Sequence, residues 1–217
     1  MNIPGSMRQA LAIGTPIRHL ATASRRVVLL AAAAICLFYA GSGAAAPPPW
    51  SPDPGTPDVW LRLQRASWAA QGSTHPQHIL YVITDANCPF CHDLWLSLQP
   101  LYAENLQVRY IMVGILARNS PGKAAAILEA KNPSQALDRN ERRWASLPDD
   151  LGGGIPPLRT PRPATLAAIA SNEALMHDLG ARGTPALIYR DTAHAMHVVQ
   201  SSLDAGKLKV IIAASST

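Results

Sequence analysis

Cysteine is scarce in this chain: three residues in 217, at positions 36, 88 and 91. That excludes a disulfide-dense scaffold and a four-cysteine zinc site. No apolar run reaches the ~20 residues that a spanning helix takes; the longest, residues 27–40, has fourteen. Acidic residues are absent from the first 26 positions, which carry Arg8, Arg18, Arg25 and Arg26. A basic start, a short apolar stretch and the small residues of "GSGAAAPPPW" describe an export signal over residues 1–46, cleaved after Ala44 or Ala45. An uncleaved N-terminal anchor is the competing reading. "SRRVVLL" resembles a twin-arginine signal, but paired arginines before such a stretch are common, so the Sec route is favoured. Cys36 lies in mid-stretch after Ile35 and does not suit lipid attachment. Beyond residue 46 the chain holds 15 basic and 14 acidic side chains, so the formal +5 belongs largely to the leader. No electrostatic case for nucleic-acid binding remains.

What is present reads as one domain with appendages. Residues 47–57, "PPPWSPDPGTP", form an extended tether. A helix is predicted over residues 58–70, within a linker segment 58–77 that closes on "QGSTHPQ". "HILYVITD" is a buried strand, rich in β-branched and aromatic residues. The pair of cysteines then opens a helix running to about residue 105, with Pro89 in its first turn, where the missing N–H would be unpaired anyway. "LQVRYIMVGIL" is a second strand, parallel to the first across that helix in a right-handed crossover. Residues 122–147 are helical in two pieces, the second starting at Pro133. "PDDLGGGIPPLRTPRP" is a loop, and residues 164–179 form a helix capped by Gly180. "PALIYRD" and "AMHVVQS" form a hairpin, and residues 203–214 a last helix. The order β–α–β, a helical insertion at about residues 117–180, then β–β–α is the plan of an α/β thioredoxin-like fold, with its catalytic domain over residues 78–217.

The stretch "DANCPFCHDLW" poses the functional question, because a Cys-x-x-Cys pair can hold a metal, staple a fold or exchange electrons. For zinc, His75 and His78 supply an upstream pair, but the predicted strand separates the two pairs by roughly 20 Å. His194 and His197 alternate across a strand and so point to opposite faces. No metal is expected. A structural disulfide closing so small a loop would constrain the unfolded chain little. Redox exchange fits better: Cys88 at a helix N-terminus sees unpaired N–H groups that favour its thiolate, and Cys91, one turn on, faces the same side. The expected arrangement is an exposed nucleophile, Cys88, with a shielded resolving thiol, Cys91, the two forming a redox-active disulfide. A second motif, "GTPAL", stands before the predicted hairpin, where a thioredoxin-like fold needs a cis-proline loop opposite the cysteines. Gly183, Thr184 and Pro185 are therefore expected to bind substrate, with a cis Thr184–Pro185 bond and the Thr184 backbone pairing with an extended client segment.

The segments "WLRLQRASWAAQG", "DANCPFCHDLW", "VGILARNSPGKAAAILEAKNP" and "NEALMHDLGARGTPALIY" together resemble the catalytic domain of the DsbG and DsbC group of thiol–disulfide interchange proteins, and DsbG more closely. The resemblance covers the chain from about residue 60 onward. It implies a nucleophilic Cys88, a resolving Cys91, the cis-proline loop at Thr184 and Pro185, client proteins carrying disulfides or oxidised cysteines, and reduction by a membrane electron donor of the DsbD type in the periplasm. Members of that group carry an N-terminal dimerisation domain. Residues 47–77 are too few to hold one, so a monomer is expected, without the shared client cleft of the dimers.

Smaller signals surround the pair. Phe90 brings neither charge nor hydrogen bond to Cys88, so the Pro89–Phe90 dipeptide is expected to give a less strongly oxidising couple than one with histidine there. His92 can tune Cys91 or be a partly exposed helix residue. Asp85 can relay a proton or simply end its strand. Trp60, Trp68 and Trp95 read as packing residues and "DRNERRW" as a solvated helix face. The expected activity is thiol–disulfide oxidoreduction of the reductase or isomerase type; a disulfide-forming oxidase, and a client-binding holdase or adaptor without turnover, are the alternatives.

Overall fold

An alternation of two apolar faces along one strand organises the molecule. In the strand His78–Asp85 every residue from Ile79 onward is buried, which is the pattern of a strand covered on both sides. Leu80 and Val82 enter one core and Ile79, Tyr81 and Ile83 the other. Each fully buried aliphatic side chain of this kind contributes about 1.5–3 kcal/mol.

The computed structural model describes residues 58–146, 152–200 and 203–217. The expected leader and proline-rich tether lie outside the described residues. In chain order the elements are α1 (Val59–Arg65), β1 (Trp68–Gly72), β2 (His78–Asp85), α2 (Pro89–Leu98) with a 3-10 turn (Gln99–Glu104), β3 (Leu106–Val113), α3 (Ser120–Leu128), α4 (Pro133–Arg142), α5 (Pro163–Asp178), β4 (Ala186–Arg190), β5 (Met196–Val199) and α6 (Ala205–Ala214). The sheet runs β1-β3-β2-β4-β5. β2 and β3 are parallel, as the crossover requires, and the other neighbours are antiparallel. Residues of α2, α3, α4 and α6 fill one face and those of α1 the other, while α5 gives Ile169 to the first and Leu175 to the second.

Three expectations about local structure are corrected. The helix predicted over 58–70 stops at Arg65. Ala66 turns extended (φ −60°, ψ 158°), and residues 68–72 pair with β3 as a fifth strand. Tertiary pairing overrides helix propensity here. The free edge of β3 needs a partner, Trp68 lies under the Arg109 guanidinium at 4.9 Å, and buried Asn172 of α5 donates to both Ser67 O (2.9 Å) and Met112 O (2.8 Å). The helix after the cysteines changes to 3-10 geometry at Gln99, because Pro100 has no N–H to continue the ladder. The strand read to residue 116 ends at Val113, since the amides of Ile115 and Leu116 turn away to the Asp85 carboxylate.

The inserted helices also differ from their sequence reading. "DRNERRW" is not a uniformly solvated face: Asn140 and Glu141 are buried at 0% and 3% exposure. The glycine-rich loop is a buried strap over residues 152–155. A Cβ on Gly152 would run into Asn87, and one on Gly153 into Asn140, so backbone approaches side chain there as only glycine permits. Gly153 N donates to Ala86 O at 3.0 Å.

Asn172→Ala should strip Ser67 O and Met112 O of their buried donor and lower stability by about 2–4 kcal/mol. The urea midpoint will read the loss, and amide exchange in residues 68–72 should quicken before the rest of the sheet.

Candidate active site

Cys88 is the N-cap of α2. Its own amide donates to Asp85 O at 3.0 Å, and the amides of Cys91 and His92 donate back to Cys88 O at 3.1 Å each. Pro89 takes the first helical position and sacrifices no bond. The Cys91 amide donates to Cys88 Sγ at 3.3 Å, so the sulfur sits where a helix start offers an N–H and partial positive charge.

Across from the sulfur lies the loop before β4. The Thr184–Pro185 peptide bond is cis, and the Cys88 thiol donates to Thr184 O at 3.3 Å. That contact goes with a correction: Cys88 is 1% exposed and Cys91 4%, so the sulfur expected to be exposed is covered. What lies against it is the loop's own carbonyl.

The two sulfurs are electrostatically unlike. The Cys88 thiol is lowered to about 7, first by the hydrogen bond from the Cys91 thiol, against the opposing effect of burial, and further by Thr184 and the Cys91 amide; the Asp85 charge works the other way. Thr184 Oγ1 is buried and makes no full-strength hydrogen bond among the described residues, so its help is that of a weak donor at the thiolate's edge. Cys91 is pushed well above the ordinary thiol range by burial and then by Cys88, with the Thr84 hydroxyl and the Asp85 backbone offsetting part. One sulfur is ready as thiolate near neutrality and the other holds its proton.

A groove of about 570 Å³ opens beside the motif. Phe90, Leu94, Pro185, Leu187, Val199 and Leu203 give it apolar walls, with Asp93 and Arg182 also lining it. Phe90 is 70% exposed, so the dipeptide between the sulfurs presents a large apolar side chain to whatever enters.

On the other side the inserted helices grip the motif. His92 Nδ1 meets Glu141 Oε2 at 2.9 Å, and its ring stacks on Trp144 with centroids 4.6 Å apart. Burial raises the Glu141 carboxyl, which His92 and Asn140 partly counter. Asn140 Nδ2 donates to Ala86 O at 3.1 Å. Lys123 of α3, fully buried, donates to Asn87 Oδ1 (2.7 Å) and Gly153 O (2.6 Å). Asp85, 1% exposed, accepts from Ser120 Oγ, from Asn87 N and from the Ile115 and Leu116 amides. Asp85 is thus a knot between β2, α3 and the loop after β3, and none of these bonds to its carboxylate reaches either sulfur.

The sequence brings Cys88, Cys91, Pro89, Phe90, Thr184 and Pro185 together here, and Gly183 lines the groove. Asn87, Lys123, Asn140, Glu141 and the glycine strap went unread. A lysine inside the apolar stretch "KAAAIL" and three successive glycines were the available signals.

Residues 64–209 match the thioredoxin-like domain family. The chain is 30% identical over 156 residues to the thiol:disulfide interchange protein DsbG of Pseudomonas aeruginosa, covering 71% of this chain and 59% of that protein. To DsbG of Escherichia coli it is 29% identical over 160 residues, covering 73% and 62%. It therefore spans about three fifths of the length of these curated relatives. Proteus mirabilis ScsC in a compact conformation superposes with a TM-score of 0.56 at 18% identity, over 72% of this chain and 76% of that one, a likeness of fold. With the matched stretch taking in the sheet, the cysteine pair and the cis-proline loop, the chain belongs to the thioredoxin-like domain family.

Proposed function

We propose that the protein is a thiol–disulfide oxidoreductase that exchanges disulfides with client proteins through Cys88 and Cys91. The observation that carries this reading is the asymmetry of the pair: a sulfur at about 7 on a helix start, a partner held well above the thiol range, and a cis-proline carbonyl on the first. In the reducing direction the Cys88 thiolate attacks one sulfur of a client disulfide. The client S–S bond breaks, a Cys88–client bond forms, and one client thiolate leaves. Cys91 then gives up its proton and attacks Cys88 Sγ, releasing the second client thiolate and closing the Cys88–Cys91 disulfide. Two electrons pass to the client, and both thiol protons go to solvent or to the released thiolates.

A thiol near 7 resembles that of reducing relatives, where strong oxidants of this fold sit nearer about 3.5, which supports the reductase or isomerase direction over the oxidase one. Rearming then needs an external dithiol, and the resemblance to DsbG supports a membrane donor of the DsbD type. The periplasm is the proposed compartment, reached by the Sec route, on the strength of the leader. The Thr184 backbone, once released by Cys88, receives the client segment, and the groove takes an apolar side chain beside the client cysteine. Pro89, Phe90 and Gly183 shape that surface. His92 and Asp85 are proposed to tune the pair through the bonds described above rather than as proton relays.

Three outcomes test the reading. Cys88→Ser should abolish reduction of a disulfide-bonded peptide, and retained turnover would sink the assignment. Cys91→Ser should accumulate mixed disulfides with clients, visible on non-reducing gels as adducts that dithiothreitol removes. Alkylation of Cys88 in the reduced protein should rise about tenfold per pH unit below about 7 and level off above it, because only the thiolate reacts. A rate still climbing at the pH of an ordinary thiol would contradict the lowered value.

A further inference from the structure

The loop after β3 turns its amides inward and leaves its apolar side chains in water. Gly114 N donates to Glu173 Oε1 at 3.0 Å, the Ile115 and Leu116 amides to Asp85 Oδ2 at 2.8 and 3.0 Å, and Ala117 N to Ser120 Oγ at 3.0 Å. Four successive amides are thus fixed on side-chain oxygens, yet Ile115 is 42% exposed and Leu116 50%. Fixing a loop costs backbone entropy, and these two side chains gain little burial in return. The sheet order places this loop on one side of the turn that follows β2, and the cis-proline loop, which leads into β4, on the other. Cys88 stands in that turn with its amide on Asp85 O, the residue whose carboxylate holds Ile115 and Leu116. Phe90 and the apolar groove lie on the cis-proline side. Exposed apolar side chains therefore flank the sulfur on both sides. Elsewhere Leu61, Leu166 and Val210 are single exposed residues on three different helices, the ordinary scatter of a protein surface.

We propose that Ile115 and Leu116 form a second client subsite, across Cys88 from the cis-proline groove, and that the protein selects cysteines with apolar residues on both sides of them in an extended chain. The inference deepens the proposed exchange function and rests on it. Its occupant is an unfolded client segment. A chain bonded to Cys88 through its cysteine, at about 3.3 Å per residue, reaches both flanks of the sulfur within a few residues. A folded client keeps such apolar neighbours inside. A second copy of this chain is a poor occupant, because its Cys88 and Cys91 are themselves buried and cannot be offered in an extended segment. The pinned amides also matter to affinity. Ile115 and Leu116 are displayed on a backbone already ordered, so a client bound there does not bear the cost of fixing the loop. The loop from Gly114 to Asn119 has one charged residue, Arg118, so contact with Ile115 and Leu116 leaves no buried carboxylate to compensate.

The test uses four soluble peptides, each with a single cysteine carried as its mixed disulfide with glutathione. Leucines stand before the cysteine, after it, on both sides, or on neither, with serine in the vacant places. Release of the peptide thiol by the reduced protein is followed in a single turnover. The peptide with leucines on both sides should react fastest. Ile115→Ser combined with Leu116→Ser keeps the loop amides and should slow one of the one-sided peptides on the order of tenfold while sparing the other. Phe90→Ser should show the opposite choice between those two peptides. Leucines on both sides giving no gain over one side, a loop variant that slows neither one-sided peptide, or two variants that slow the same peptide overturns the second subsite. So does a loop variant whose Cys88 alkylation slows as much as its exchange, since the loop would then support the sulfur and not touch the client. If wild type reduces none of the four peptides, the proposed function itself falls; reduction without the crossed pattern removes only the subsite.

Discussion

A carboxylate shut away from water must be met by donors, and the way Asp85 is met ties the site together. It ends the central strand, so the turn leading to Cys88 starts from its carbonyl, while its side chain draws in the loop after β3 and the first residue of α3. The strand, the motif and the insertion thus share one anchor. If that anchor moved, the N-cap geometry of Cys88 would move with it, and the thiolate would lose the amide that steadies it. The geometry of the cysteine pair is less a property of two cysteines than of the place where three segments converge.

The rest of the site divides around that place by chemistry. One flank is an apolar groove lined by α2, the cis-proline loop and the hairpin. The other is polar and sealed, built by α3, α4 and the glycine strap. The first is open space with apolar walls; the second is where charge and geometry are held. The helices between β3 and β4 therefore bear on the chemistry from behind, in addition to enlarging the core.

Most of the sheet was legible in the sequence because buried strands advertise themselves: "HILYVITD" and "LQVRYIMV" have few polar residues and many β-branched ones. The cysteine pair and "GTPAL" were legible because their residue types have few other uses at that spacing. β1 was not, since "SWAAQG" is short, rich in alanine and made a strand only by the edge it pairs with and by Asn172. The buried polar residues of the insertion were hidden for a related reason. Lys123, Asn140 and Glu141 look like surface residues in sequence, and only the helix face each occupies decides otherwise.

The glycine strap has a consequence for how such a protein can change. Residues 152–154 leave no space for a side chain against Asn87, Asn140 and Arg143, so that stretch tolerates almost no variation without rebuilding what lies behind the sulfur. Phe90, exposed on the opposite flank, can be exchanged without disturbing any of it. The exposed face of the motif and the packing behind it are thereby lodged in separate parts of the chain, and one can drift while the other stays put.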